Sequence, residues 1–176
     1  MSFQSLIVGC IHAFFGINLI GLQVACFIMQ AYYYQNGLLF EGRFAPGAWL
    51  GGFILITGIM GIVHGCIYGG DGSKSGRIRV LRNWIIAFNI LVAVLSVIMM
   101  GLAIGFRMLD PEGFMFTDCE YPFVPWIYYY APHCEVKHKV TIMGSTMMAV
   151  ACFEAVFGLA GAIVVRKADD EFIRRG

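Results

Sequence analysis

Four long apolar runs dominate this sequence and decide which folds are open to it. Each run exceeds the roughly 20 residues that a helix needs to cross a hydrocarbon core of about 30 Å. A backbone in lipid must satisfy its own hydrogen bonds, so each run is expected to be an α-helix. The predicted helices cover residues 5–31, 47–68, 84–106 and 140–165. We therefore predict an all-α integral membrane protein, a four-transmembrane-helix bundle that forms a single domain over residues 1–176.

The distribution of charge predicts the orientation of this bundle. Only 13% of the residues are charged, against about 25% in an average soluble protein. The link 69–82 and the segment 166–176 are rich in Lys and Arg, whereas the link 107–139 is acidic. The positive-inside rule then places both termini and the 69–82 link in the cytosol. The links 32–46 and 107–139 face the exterior or a lumen, and we expect a multi-pass protein of the plasma membrane.

Two of the six cysteines lie outside the predicted spans. Cys119 and Cys134 both fall in the predicted external loop 107–139, where an oxidising compartment permits a disulfide. Closing a loop of about 15 residues stabilises a fold by roughly 3 kcal/mol in the chain-entropy model. We expect this disulfide, and the alternative is a pair of free thiols.

Small residues recur at spacings that suit close contact between helices. Because apolar burial gives little drive inside lipid, faces of small residues matter for van der Waals packing between spans. The helix-packing candidates are Gly51, Gly58, Gly61, Gly65, Gly101, Gly105 and Gly158. Their partners are helices of this chain or of another subunit.

Several polar side chains interrupt the apolar runs. Counting 1.5 Å per residue from the cytosolic boundaries places two layers of them: Glu154, Asn18, Thr57 and Ser96 near the midplane, and His12, His64 and Asn89 nearer the cytosol. A carboxylate facing lipid costs at least roughly 2.5–3.5 kcal/mol, so Glu154 should face the bundle interior or a partner. We expect a protonated Glu154 that donates a hydrogen bond to Asn18 or Ser96. An ion or proton pathway and a contact with another subunit are the alternatives.

Aromatic residues crowd the predicted external loop. They are Tyr121, Phe123, Trp126, Tyr128, Tyr129 and Tyr130. One interpretation is an aromatic belt that rests among lipid headgroups. The other is a recognition surface, because Tyr and Trp supply large, rigid contact areas.

The pattern of polar residues favours some classes of function over others. We find no paired carboxylates, nucleophile–base pair, phosphate-binding loop or metal cluster, so we expect a non-enzymatic protein without a cofactor. Two histidines alone make a poor zinc site, and no basic stripe suggests nucleic acid. The expected partners are the lipid bilayer and other transmembrane proteins. We predict an auxiliary subunit or scaffold, either a homo-oligomer or part of a hetero-complex; the alternative is a small oligomeric cation channel with its pore between protomers.

Short motifs in three spans carry a resemblance to a known family. The segment 46–62, "PGAWLGGFILITGIMGI", resembles the second-span signature of the membrane-spanning four-domains subfamily A. Asn89 in "AFNILVAVLS" and Glu154 in "CFEAVFG" match residues common in the third and fourth spans of that family, and the external cysteine pair fits as well. The resemblance implies helices packed side by side, dimers or larger assemblies, and roles as receptor-associated subunits or membrane organisers. Some members of the family are linked to calcium flux.

Overall fold

Four α-helices make up nearly all of the chain that the structure describes. This computed structural model describes residues 3–33, 45–67, 75–109 and 132–175. The helices are α1 (Phe3–Tyr33), α2 (Pro46–Ile67), α3 (Ser75–Leu109) and α4 (Pro132–Arg175). Each contains a stretch long and apolar enough to cross a membrane: Gln4–Met29, Pro46–Ile67, Val80–Gly105 and Ile142–Lys167. The prediction of an all-helical protein with four candidate membrane spans is confirmed.

The helices α3 and α4 extend well beyond the apolar runs. Helix α3 begins at Ser75 rather than at residue 84, and α4 covers Pro132–Arg175 rather than 140–165. Parts of the predicted links 69–82 and 107–139 are therefore helical. Hydropathy marks only the segment that tolerates lipid, whereas a helix satisfies its own backbone in water as well as in lipid. Proline at the first position of α4 is favourable, because the amide it lacks has no partner inside the helix.

The start of α2 is tied to α1. Ala45 adopts a left-handed conformation with φ of 44°. Its carbonyl oxygen accepts hydrogen bonds from the amides of Ala48, at 2.9 Å, and Trp49, at 3.3 Å. The amide of Gly47 donates to Gln23 Oε1 of α1 at 2.9 Å, within the bundle. This bond satisfies one of the free amides of the first helical turn and fixes the height of α2 against α1.

The helices form a closed ring in which α1 packs on α2, α2 on α3, α3 on α4 and α4 on α1. The inward-facing residues of α1 alternate at three- and four-residue spacings, as in a coiled coil. They are Ser5, Gly9, His12, Gly16, Leu19, Gln23 and Cys26. Buried apolar residues concentrate at one end of the bundle, in the half of its length that contains the second half of α1 and the first half of α2. This apolar half contains Leu19, Cys26, Leu50, Ile54, Val92, Met99, Met147 and Ala151.

Glycines bring the backbones of α1 and α2 into direct contact. The contact, here called the glycine seam, comprises Gly9 and Gly16 of α1 and Gly51, Gly58, Gly61 and Gly65 of α2. A Cβ atom at Gly9 would lie 2.6 Å from the Ile62 amide nitrogen, and one at Gly16 would lie 2.7 Å from the Leu55 amide nitrogen. No side chain fits at such distances, so the seam depends on glycine from both helices.

The remaining predicted packing glycines divide into two groups. A Cβ at Gly158 would lie 2.6 Å from the carbonyl oxygen of Asn89, so this glycine lets α4 approach α3. A Cβ at Gly101 or at Gly105 would meet nothing within 4 Å. Gly101 lies between the inward positions Met99 and Ala103 of α3, on the opposite side of the helix. Neither glycine makes a close contact with the described helices, and contact with a helix of another subunit stays a prediction.

Candidate functional site

Six buried polar side chains from all four helices gather in one half of the bundle. This polar cluster comprises Ser5 and His12 of α1, Thr57 and His64 of α2, Asn89 of α3 and Glu154 of α4. Each is at most 3% exposed. Seven residues separate Ser5 from His12 and also Thr57 from His64, which is two helical turns and keeps each pair on one face. The cluster holds six of the eight buried polar or charged residues in the described part of the chain; the other two are Gln23 and Ser96.

Glu154 and His12 face each other across the contact between α4 and α1. The distance from His12 Nε2 to Glu154 Oε2 is 3.4 Å, and both side chains are within 1% of full burial. This distance is longer than a well-formed N–H···O bond, and neither carboxyl oxygen has a hydrogen-bond partner among the described residues. Glu154 therefore lies inside the bundle, with the His12 ring facing its carboxyl group.

The hydrogen bond of the other ring nitrogen of His12 determines which atoms of the His12–Glu154 pair carry protons. His12 Nδ1 lies 3.0 Å from the carbonyl oxygen of Val8. A carbonyl oxygen only accepts, so Nδ1 must carry a hydrogen. The contact between Nε2 and Oε2 is then attractive when one further proton lies between them. With that proton the pair has no net charge, the arrangement that costs least in a medium of low polarity.

The partner of Glu154 differs from the prediction. Asn18 is exposed on the outer surface of α1, and its Nδ2 donates to the carbonyl oxygen of Phe14 at 2.7 Å. Ser96 is buried, but its hydroxyl has no hydrogen-bond partner among the described residues. The prediction considered only depth in the membrane. Six residues separate Asn18 from His12, which turns their side chains about 120° apart around α1.

A second polar contact joins α1 to α2. Ser5 Oγ lies 3.1 Å from His64 Nδ1 and 3.3 Å from the carbonyl oxygen of Gly61. Both contacts are satisfied when His64 donates to the hydroxyl and the hydroxyl donates to the carbonyl. Ser5 was not among the predicted site residues, although its spacing of seven from His12 was a usable signal.

Thr57 and Asn89 bond mainly to their own helices. Thr57 Oγ1 donates to the carbonyl oxygen of Phe53 at 2.8 Å, and Asn89 Nδ2 donates to that of Ile85 at 2.8 Å. Asn89 Oδ1 is buried with no hydrogen-bond partner among the described residues. A Cβ at Gly161 would lie 2.6 Å from this oxygen, so glycine there makes room for the amide.

The interior next to the cluster is narrow. A cavity of about 10 Å³ lies among Ser5, His12, Thr57 and Asn89. This volume is close to the space that a single water molecule needs. Within the described part of the chain, no group of three His, Cys, Asp or Glu side chains is placed to hold a metal ion. The polar contacts join α1 to α4 and α1 to α2, and the small cavity suits a polar clamp better than a conduit through one chain.

An apolar groove lies on the outer surface of α1 and α4, the two helices that carry His12 and Glu154. It has a volume of about 560 Å³, exposes no polar surface, and runs between α1 and α4. Four aromatic side chains contribute to its walls: Phe14, Phe15, Phe153 and Phe157. All four lie within the candidate membrane spans of α1 and α4.

The external features predicted from the sequence lie outside this description. Cys119, Tyr121, Phe123, Trp126, Tyr128, Tyr129 and Tyr130 are not among the described residues, and the side chain of Cys134 is not described either. The disulfide between Cys119 and Cys134 therefore stays a prediction, as does recognition by the loop aromatics.

Comparison with known proteins adds no relative to this picture. No family model, no curated protein and no solved structure matches the chain.

Proposed function

We propose that this protein is a non-enzymatic tetraspan subunit that associates laterally with other membrane proteins, as an auxiliary subunit or scaffold. Its motifs resemble those of the membrane-spanning four-domains subfamily A, and we place it in the plasma membrane with both termini in the cytosol. A disulfide between Cys119 and Cys134 would staple its external loop.

The observation that carries this proposal is the inward orientation of the polar cluster. Glu154 and His12 face each other, and Ser5 faces His64, with all four side chains buried inside the chain's own bundle. Polar residues within membrane spans mark transport pathways when they line a water-filled cavity. Here the adjacent cavity is only about 10 Å³. This arrangement favours a stable bundle whose function lies on its outer surfaces.

The position of the cluster supports the proposed orientation. Arg82 comes three residues before Ile85, and Arg166 follows Val165; both of these apolar residues line the small cavity. Arg82 and Arg166 therefore lie at the same end of the bundle as the cluster. The positive-inside rule assigns such an end to the cytosol.

Capture of partner proteins tests the proposed role. The full chain would be purified from its native membrane in mild detergent, and the proteins that elute with it would be identified by mass spectrometry. We expect one or more transmembrane proteins at constant ratio to the chain. Replacing Trp126 and Tyr129 with serine should remove them without changing membrane insertion, because rigid aromatic residues dominate many interfaces.

A matched control separates recognition from a general loss of aromatic surface. Trp84 is exposed on α3 and lies beside Phe88, with ring centroids 6.2 Å apart. Trp84→Ser should leave capture intact. Equal loss of capture in both variants, or capture that neither changes, would argue that the loop aromatics form only an interfacial belt.

Ion flux tests the alternative function. Purified protein in liposomes should conduct no cations if the cluster is a clamp. Flux that is present in the native chain and disappears in Glu154→Ala, while Glu154→Ala still folds and associates, would favour the oligomeric cation channel over the scaffold.

A further inference from the structure

Asn18 is a strongly polar side chain on the outer surface of the bundle. It lies close to the centre of the candidate span Gln4–Met29, 14 residues after its first residue and 11 before its last. Its side chain is exposed, whereas the polar cluster is buried. Polar side chains at such a depth almost always face protein or a water-filled cavity. The surface of α1 around Asn18 therefore needs an explanation that the isolated chain does not supply.

The amide of Asn18 retains unused hydrogen-bonding capacity. One hydrogen of Nδ2 goes to the carbonyl oxygen of Phe14 at 2.7 Å. An asparagine amide has two hydrogens on its nitrogen and two acceptor sites on its oxygen. One donor and the acceptor oxygen therefore remain for a group outside the bundle. Leaving them unpaired in hydrocarbon is costly, because lipid tails offer no hydrogen bonds.

The neighbourhood of Asn18 allows another helix to come close. Gly21 lies one turn further along α1, is exposed, and would have nothing within 4 Å of an added Cβ. Ile17 and Phe14 flank the same surface and are exposed as well. A small residue beside a polar one is the usual composition of a contact between transmembrane helices.

We infer that Asn18 pairs with Asn18 of a second copy of this chain, across a twofold axis between two α1 helices. An amide offers one donor and one acceptor side by side, so two identical amides facing each other form two N–H···O bonds. A twofold contact requires a surface that complements itself, and an asparagine at the axis meets that requirement. Gly21 and Ile17 supply the close contact around the pair.

Other exposed polar groups in the candidate spans fit this role less well. Thr146 is exposed on α4, but its hydroxyl hydrogen already goes to the carbonyl oxygen of Ile142 at 2.9 Å. It retains no donor, so two copies of it form no hydrogen bond to each other. The apolar groove between α1 and α4 exposes no polar surface and specifies no partner. Asn18 alone combines depth, exposure and a self-complementary group among these candidates.

The inference rests on the proposed function in one respect: it takes lateral association as the role of the chain and names a second copy as one partner. Full-length protein with donor or acceptor fluorophores at its C-terminus would be reconstituted in phosphatidylcholine vesicles over a range of protein-to-lipid ratios. Energy transfer should follow a monomer–dimer equilibrium. Asn18→Leu should weaken association about tenfold, the effect of losing interhelical amide bonds in model spans. Asn18→Gln, which keeps the amide, should retain most of the association.

Two further variants keep the test specific to α1. Gly21→Leu should weaken association by blocking close approach, whereas Ile163→Leu on the exposed face of α4 should leave it unchanged. A photoreactive residue at position 17 should link two copies, and one at the exposed position 98 of α3 should not. Circular dichroism would show that Asn18→Leu and Gly21→Leu keep the helical content of the native chain.

Three results would overturn the inference. They are a native chain that stays monomeric at every protein density, an Asn18→Leu variant that associates like the native chain, and a link from position 17 to a different protein in native membranes. None of these results affects the loss of partner capture expected for the Trp126 and Tyr129 variants. Failure of the dimer and failure of the proposed function are therefore distinguishable.

Discussion

The polar half and the apolar half of the bundle bring the same four helices together with different kinds of side chain. In the polar half, the four helices meet through His12, Glu154, His64, Ser5 and Asn89. In the apolar half, the same helices meet through a core of aliphatic and sulfur-containing side chains, and the bond from the Gly47 amide to Gln23 Oε1 is the polar contact described there. Both halves lie within the candidate membrane spans, so we expect lipid rather than water around each of them.

The difference shows which forces hold a bundle together when water is absent. Apolar side chains gain little by leaving lipid for protein, so the apolar half depends on close packing. The polar half has a stronger reason to form, because its groups have no hydrogen-bonding alternative in lipid. The glycine seam connects the halves, since it runs from Gly65 beside Leu6 to Gly51 beside Gly16. Stability should therefore be most sensitive to the seam, then to the polar half, then to the apolar half.

Enlarging the seam should have the largest effect. A Cβ at Gly58 would collide with the backbone of Ala13, so Gly58→Leu must push α1 and α2 apart over both halves. Overpacking usually costs about 1–3 kcal/mol, and a collision with backbone should cost more than about 3 kcal/mol. The free energy of unfolding, measured by titrating SDS into mixed micelles, checks this expectation.

The control for the seam is a glycine on the same helix with room around it. A Cβ at Gly52 would meet nothing within 4 Å, so Gly52→Leu should change the free energy of unfolding by less than about 1 kcal/mol. Equal losses for Gly58→Leu and Gly52→Leu would mean that direct backbone contact is not what stabilises α1 against α2.

Breaking the polar half should have the second largest effect. Glu154→Ala removes the group that faces His12 Nε2 and leaves a fully buried nitrogen without it. An unsatisfied buried polar group costs about 1–3 kcal/mol, and we expect a loss near the upper limit because water cannot enter. The same SDS titration measures it.

Glu154→Gln distinguishes a clamp from a site that needs a carboxyl group. The glutamine amide can donate to His12 Nε2, so we expect this variant to stay within about 1 kcal/mol of the native chain. A Gln variant as unstable as the Ala variant would show that the carboxyl group itself is required in the pair.

Weakening the apolar half should cost less. Met147 is 3% exposed in the core of this half. Replacing a buried Met with Ala costs about 2–5 kcal/mol in water-soluble proteins, where part of the cost is transfer from water. In lipid that part is nearly absent, so Met147→Ala should cost only about 1–2 kcal/mol. A loss larger than that of Glu154→Ala in the same titration would reverse the ranking of the two halves.

The helices were predictable from the sequence because hydropathy reports what lipid requires. The apolar runs identify all four candidate spans, and the structure confirms four helices there. The helical extensions at Ser75 and Pro132 were missed, since these polar and charged segments contain no apolar run that would mark a helix. Pro132, which is favourable at the first position of a helix, was an available signal for the second extension.

The candidate site was only partly predictable, because the depth of a residue in the membrane does not specify the direction in which its side chain points around the helix. Depth grouped Asn18 with Glu154, yet the structure places Asn18 on the outer surface. The heptad spacing of Ser5, His12 and Leu19 defines the inner face of α1 and excludes Asn18 from it. The same spacing would have identified Gly9 and Gly16 as the partners of the α2 glycines. The sequence of a single span does not specify which helices become its neighbours. The contact between His12 and Glu154 could therefore be identified only from the structure.

The smallest expected effect concerns a glycine that belongs to neither half. Gly101 is exposed on α3, and an added Cβ would meet nothing within 4 Å. Alanine at such a position should stabilise the helix by about 0.4–1 kcal/mol, because it reduces the freedom of the unfolded chain without creating a clash. The measurement is the SDS titration used for the other variants, performed at low protein density. A stabilised Gly101→Ala variant supports an α3 surface that faces lipid alone. A destabilised variant would show that this glycine surface is covered by another helix, and that the comparison of the two halves omits a third contact.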